Sequence, residues 1–200
     1  ISRPILFGHS DGASIALIYA GTSIAPRPLG AIAMAPHVMV ESLTLEGARQ
    51  AATEFEGGRL RQRLARHHRD PDATFRGWNE TWLSAGFRDW NIEASLDSAR
   101  CSVLVIQGLA DPYGSLAQIT PIEARVPAPV ESLLLGGCGH APDRERPAEV
   151  IDATAAFIAE LSPGGPRRHP EHVYHLADAA ELRAGLDANA YRPESLRQEG

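Results

Sequence analysis

The sequence is sparing in the features that would send it to several large classes of protein. It has only two cysteines, Cys101 and Cys138, too few to build a disulfide framework. It has no apolar run approaching the roughly 18 residues needed to cross a bilayer, so no membrane partner is expected. Basic residues do not predominate: 19 Lys and Arg face 25 Asp and Glu, leaving a net charge of −6. A nucleic-acid partner, which calls for a basic face, is therefore not expected either. The His67-His68 pair has no companion at metal-ligand spacing, so no metal site is read there. No internal repeat is present.

What remains is ordinary for a globular protein, with 44% hydrophobic and 22% charged residues. The chain opens on Ile1, and its first residues, ISRPILFG, already read as a buried strand. The expectation is a fragment, cut at both ends, in which no signal peptide is readable. Cys101 lies just before one strand pattern and Cys138 just after the next. If those strands are parallel neighbours the thiols sit about 20 Å apart, too far to bridge. Free thiols suit a reducing compartment, and a cytoplasmic location is the expectation.

Buried strands are expected at residues 4–7, 29–35, 102–107 and 130–135. Between the first two lies an apolar stretch, 13–20, expected to be a helix buried on nearly every side. Strand, helix, strand is the signature of a parallel sheet, so the fold class is α/β. Residues 38–96 change character: they are rich in Arg, Glu and helix formers, hold all three tryptophans (Trp78, Trp82, Trp90), and read as a helical cap whose tryptophans form its own core. A helix opens at Pro147, with the stripe Val150, Thr154, Phe157, Ile158 and Leu161 expected to face the sheet. Residues 162–170, with three prolines and two glycines, read as a linker continuing to 172. Residues 173–200 read as the start of a second small domain.

The chemistry centres on Gly8-His9-Ser10-Asp11-Gly12. This G-x-S-x-G pentapeptide lies between an expected strand and an expected helix, the context that makes it informative. Serine there sits on a sharp, strained turn with its hydroxyl projecting above the sheet. Glycine is expected to be required at both flanking positions, because side chains would collide. The helix that follows points unsatisfied N–H groups at the reacting centre, with the Asp11 N–H as one oxyanion donor.

A serine hydroxyl needs a base. His140, in the loop GGCGH after the last strand, supplies an imidazole that takes up and returns a proton near neutral pH. The base in turn needs a carboxylate. Asp111, in the loop GLADP, is the first choice and Glu41 the runner-up. Ser10, Asp111 and His140 each follow a separate parallel strand, and open α/β sheets place their sites at that C-terminal edge. His9 is read as structural, and His37, just past the second strand, as a substrate-binding residue. Cys138 is read as part of the supporting loop.

The stretches LFGHSDGASIALIYA, VLVIQGLADPYG and GGCGHAPDRERPAEV, in kind and in order, resemble the α/β-hydrolase superfamily over residues 1–161. The resemblance implies an elbow after strand 5, a cap after strand 6, the acid after strand 7 and the histidine after strand 8. Those fall here on Ser10, residues 38–96, Asp111 and His140. The Ser-Asp-Gly elbow is similar to the group around valacyclovir hydrolase and biphenyl-hydrolase-like enzymes. The family's first four strands and its oxyanion loop have no counterpart in the sequence, so the second oxyanion donor is unassigned. The resemblance implies a serine hydrolase acting on an ester-type small molecule, with no cofactor. Alternatives are C–C hydrolysis or acyl transfer on the same triad, or a non-catalytic binding or scaffold member. Residues 173–200 resemble the opening of a small bacterial domain family of unknown function that has been likened to ADP-ribosyltransferases, which implies a ligand contact for His175.

Overall fold

The computed structural model describes residues 2–162, residue 164 and the strand backbone at 173–175. Its frame is a sheet in which the strands run parallel in the order in which they occur along the chain. β1 (Ile5–His9) turns sharply into α1 (Asp11–Gly21), which returns the chain to β2 (Gly30–Met34). A helical excursion follows: α2 (Ser42–Glu56), α3 (Arg59–Leu64), α4 (Pro71–Leu83) and the short α5 (Glu93–Leu96). β3 (Ser102–Gly108), α6 (Ile119–Arg125) and β4 (Val130–Leu135) then extend the sheet. α7 (Pro142–Glu145), α8 (Pro147–Leu161) and the edge strand β5 (Val173–His175) complete it.

The chain divides into two compact units, Met39–Asn91 and the remainder. The sheet unit is held by a period-2 pattern. Ile32 and Met34, Leu104 and Ile106, Leu133 and Leu135 face one way and meet Val150 and Phe157 of α8. α1 packs on β1 and β2 through Ala13, Ala16, Leu17 and Ala20. Apolar surface buried in this way stabilises the sheet by roughly 25 cal/mol per Å² removed from water. α5 belongs with this unit, packing on α1 and α6.

Two side-chain expectations are corrected. α1 is not buried all round, since Ile15 is 67% exposed; only one stripe of the helix touches the sheet. In α8, Ile158 is 40% exposed while Ala153 packs on the core. At 3.6 residues per turn, Ile158 stands about 80° around the axis from Val150, whereas Phe157 and Leu161 stay within about 20° of it. α7, a single turn, has too few residues to show a periodicity and was not expected from the sequence.

The Met39–Asn91 unit has its own core. Phe55 of α2 stacks on Phe75 of α4 with ring centroids 4.0 Å apart, and Trp78 packs beside them. The Asn79 amide donates to Ala48 O at 2.7 Å and ties α4 to α2. Trp82 meets Phe87 and Trp90 edge-on. Asp70 caps α4 by accepting from the Ala73 N–H, with Pro71 in the first turn, the arrangement favoured at a helix start. Cys101 and Cys138 are buried and unbonded to each other. The expected linker and second domain, His175's side chain included, lie outside the described residues; the backbone at β5 pairs with β4 in the register Ser132 with Val173.

Candidate active site

Strand register brings the loops together. His9, Met34 and Ile106 stand level across β1, β2 and β3, and Gly108 stands level with Leu135 across β3 and β4. The residues that follow, Ser10, Asp111 and His140, therefore emerge from one edge.

Ser10 occupies the turn between β1 and α1 with φ 57° and ψ −125°. A non-glycine residue there carries strain on the order of 1–3 kcal/mol. Neighbouring bonds hold it: the Ser10 N–H donates to Met34 O at 2.9 Å, and Ser10 O accepts from the Ala13 N–H at 2.8 Å. Gly8 makes the turn possible, because a Cβ on it would stand 2.1 Å from Gly12 O. Gly12 does not repeat this. A Cβ there meets no atom of the described residues within 4 Å, so the expectation of two obligatory glycines is corrected to one. The elbow is tight on the strand side and open on the helix side.

His140 Nε2 lies 2.9 Å from Ser10 Oγ, and its Nδ1 lies 2.8 Å from Asp111 Oδ2. An ionised carboxylate only accepts, so Nδ1 carries the proton and Nε2 offers its lone pair to the serine hydroxyl. Asp111 is 5% exposed. Its Oδ1 accepts from the Tyr113 N–H at 2.8 Å, and its Oδ2 accepts from Gln107 Nε2 at 3.1 Å as well as from His140. Glu41, the runner-up, stands at the N-cap position of α2, in the Met39–Asn91 unit; the carboxylate on His140 is that of Asp111.

The acid and histidine loops lie against each other along their backbones. The Ala110 N–H donates to Cys138 O at 2.9 Å, and a Cβ on Gly108 would stand 2.2 Å from Gly139 O. Only glycine allows that approach. His9 spans from the elbow to the same loop, its Nε2 donating to His140 O at 2.6 Å. Its structural reading agrees with this contact.

His37, read from the sequence as a substrate-binding residue, is buried. It is 3% exposed, and its ring centroid stands 6.0 Å from that of His140. Burial lowers its pKa from 6.5 to about 4, and nearby His140 adds to the shift, so it is a neutral imidazole at pH 7. Cys138 is out of play as a nucleophile. Burial, with Glu145 nearby, raises its pKa to about 11 and keeps it a thiol.

Two contributors escape sequence reasoning. Gln107 is a polar residue closing an aliphatic strand, a signal that was available in SVLVIQ. Glu145 accepts from the Gly139 N–H at 2.8 Å; among charged neighbours in PDRERPAE nothing marks it. Among the described residues no group of three or more His, Cys, Asp or Glu side chains is placed to hold a metal, and no helix is long and apolar enough to cross a membrane.

Several solved structures share this architecture. VinJ aligns with a TM-score of 0.57 at 20% identity, over 80% of this chain and 67% of its own. Proline iminopeptidase from Mycobacterium smegmatis gives 0.55 at 18%, over 80% and 66%. A carboxylesterase structure from the ammonia-oxidizing thaumarchaeon Nitrososphaera gargenis gives 0.61 at 17%, over 80% and 66%. The chain thus spans about two thirds of the length of these neighbours, and at such identities the likeness is one of fold. No curated protein matches it. The model of the alpha/beta hydrolase family matches residues 1–153, more than half of the chain, and the chain belongs to the alpha/beta hydrolase family.

Proposed function

We propose that this protein is a serine hydrolase that cleaves an ester-type small molecule through Ser10, His140 and Asp111. One observation carries the reading: the unbroken contact from Ser10 Oγ to His140 Nε2 and from His140 Nδ1 to the buried Asp111 carboxylate.

In this reading His140 Nε2 takes the Ser10 hydroxyl proton as Oγ bonds to the carbonyl carbon. The carbonyl π electrons move to oxygen, where the Asp11 N–H at the start of α1 stabilises the charge. Asp111 keeps the proton on Nδ1 and stabilises the imidazolium without itself becoming protonated. The tetrahedral adduct collapses, and the departing alkoxide leaves with the proton from Nε2. Water, deprotonated by the same nitrogen, then attacks the acyl-enzyme. Its collapse releases the carboxylic acid and restores the Ser10 hydroxyl. Neutral His37 adds no positive charge beside His140, so it does not oppose formation of the imidazolium. The ester class is supported by the carboxylesterases among the proteins of similar fold.

A fluorophosphonate probe tests the triad. Labelling is expected on Ser10, absent in Ser10→Ala, and slowed by a factor on the order of 10⁴ in Asp111→Asn, where the wrong tautomer is held. Native-like labelling in Asp111→Asn would return the acid's role to Glu41, and an unlabelled native protein would remove the reading. p-Nitrophenyl esters set against aminoacyl p-nitroanilides then separate ester from peptide cleavage.

A further inference from the structure

β3 presents aliphatic side chains along its buried length until Gln107, its penultimate residue. Gln107 is fully buried, and a primary amide taken out of water needs partners. Its Nε2 lies 3.1 Å from Gly108 O, 3.1 Å from Asp111 Oδ2 and 3.0 Å from Gly114 O. All three are acceptors, which fixes the amide with its NH₂ toward them. Its Oε1, facing away, is buried and meets no donor among the described residues. A leucine or methionine would fill the same space without leaving a buried oxygen unsatisfied. The gain from the amide therefore lies in what its N–H groups hold.

We propose that Gln107 is the positioning residue of the acid: its amide selects which Asp111 oxygen faces His140 and ties together the two ends of the loop that carries Asp111. This inference rests on the triad reading above. Asp111 Oδ2 receives both the His140 Nδ1–H and the Gln107 amide, while Oδ1 receives the Tyr113 N–H. Rotation of the carboxylate would break all three bonds. Gly108 O and Gly114 O, on either side of Asp111, are drawn to the same nitrogen, so the loop cannot open without unseating the amide. Gln107 thus acts on Ser10 only through Asp111 and His140.

The substitution Gln107→Glu separates this role from packing. The new carboxyl would face the Asp111 carboxylate and two carbonyl oxygens, with His140, His37, His9, Tyr113, Cys138 and Glu145 as titratable groups around the cluster in the sheet unit. Burial and the adjoining carboxylate both disfavour its anion. While protonated it donates to Asp111 Oδ2 in place of the amide; once ionised it repels that oxygen.

The test is the second-order rate of Ser10 modification by a fluorophosphonate from about pH 5 to 9, for the native protein, Gln107→Glu and Gln107→Leu, with thermal unfolding to show that each variant is folded. Gln107→Leu is expected to be slower by roughly ten- to a hundredfold at every pH, the size of a lost hydrogen bond to a charged group. Gln107→Glu is expected to approach the native rate at low pH and to acquire a falling alkaline limb that the native profile lacks. In the native protein, the side-chain amide resonance of ¹⁵N-labelled Gln107 should shift with the same midpoint as the His140 ring, a measurement that needs no variant. Native rates in both folded variants, a uniform loss without the new limb in Gln107→Glu, or an amide resonance indifferent to His140 overturns the proposal. Native protein that is not labelled at Ser10 counts against the triad instead, and the amide titration then still decides the role of Gln107.

Discussion

The Glu145 carboxylate brackets the main chain on either side of His140: Oε2 accepts from the Gly139 N–H at 2.8 Å and Oε1 from the Ala141 N–H at 3.2 Å. Glu145 reaches both because α7 turns the chain back immediately after the histidine loop. His9 holds the loop from the other side through His140 O. The ring's own contacts to Ser10 and Asp111 thus start from a backbone already held at three points. This pre-organisation is what the proposed proton relay requires, since misplacement by about 1 Å costs on the order of a hundredfold in rate.

Glu145→Ala should therefore act on reactivity more than on stability. The carboxylate is exposed, so its removal is expected to change unfolding free energy by no more than about 1 kcal/mol. Loss of charge-assisted bonds to the loop is expected to slow Ser10 phosphonylation by roughly tenfold. Paired measurement of labelling rate and urea midpoint checks this, and a native rate would show that His9 and the ring contacts suffice.

The two elbow glycines should part company. Gly8→Ala forces a Cβ to 2.1 Å from Gly12 O, and relief must come from the backbone that positions Ser10. Destabilisation on the order of 2–4 kcal/mol and loss of labelling are expected. Gly12→Ala enters open space in the first turn of α1, where alanine is the better helix former by up to about 1 kcal/mol. Native labelling with a melting temperature equal to or above the native one is the expected outcome, read by differential scanning fluorimetry.

His37 makes stability pH-dependent. Its folded pKa is about 4 against 6.5 for the free imidazole, so between those values the unfolded chain binds a proton that the folded chain refuses. The contribution is complete above pH 6.5, declines as pH falls toward 4, and is constant below; it amounts to roughly 3 kcal/mol over the window. Urea unfolding at pH 7 and at pH 4.5 should show a smaller loss for His37→Gln than for the native protein. Equal losses would place the pH sensitivity elsewhere.

Much of the frame was legible in the residues themselves. Short, mostly apolar strands of five to seven residues, bounded by glycine and proline, are local signals, and α1 between two of them dictates parallel pairing. Parallel pairing then sends every strand's C-terminal end to one edge, which is why Ser10, Asp111 and His140, each following a strand, come out together there. Other features depended on chain segments meeting. Glu41 and Asp111 are both acids just past a strand, and nothing local distinguishes them; the approach of the Gly108 and Gly139 backbones brings Asp111 to the imidazole. Gln107 bonds Gly108, Asp111 and Gly114, and Glu145 bonds Gly139 and Ala141; these partners are close in sequence, but only the folded path of each loop turns them toward the side chain. The openness beside Gly12, the burial of His37 and the exposure of Ile158 likewise follow from what packs where. Short-range pattern encodes the conformation of each element, whereas a hydrogen bond between residues 130 positions apart exists only once register and loop contacts have set the distance.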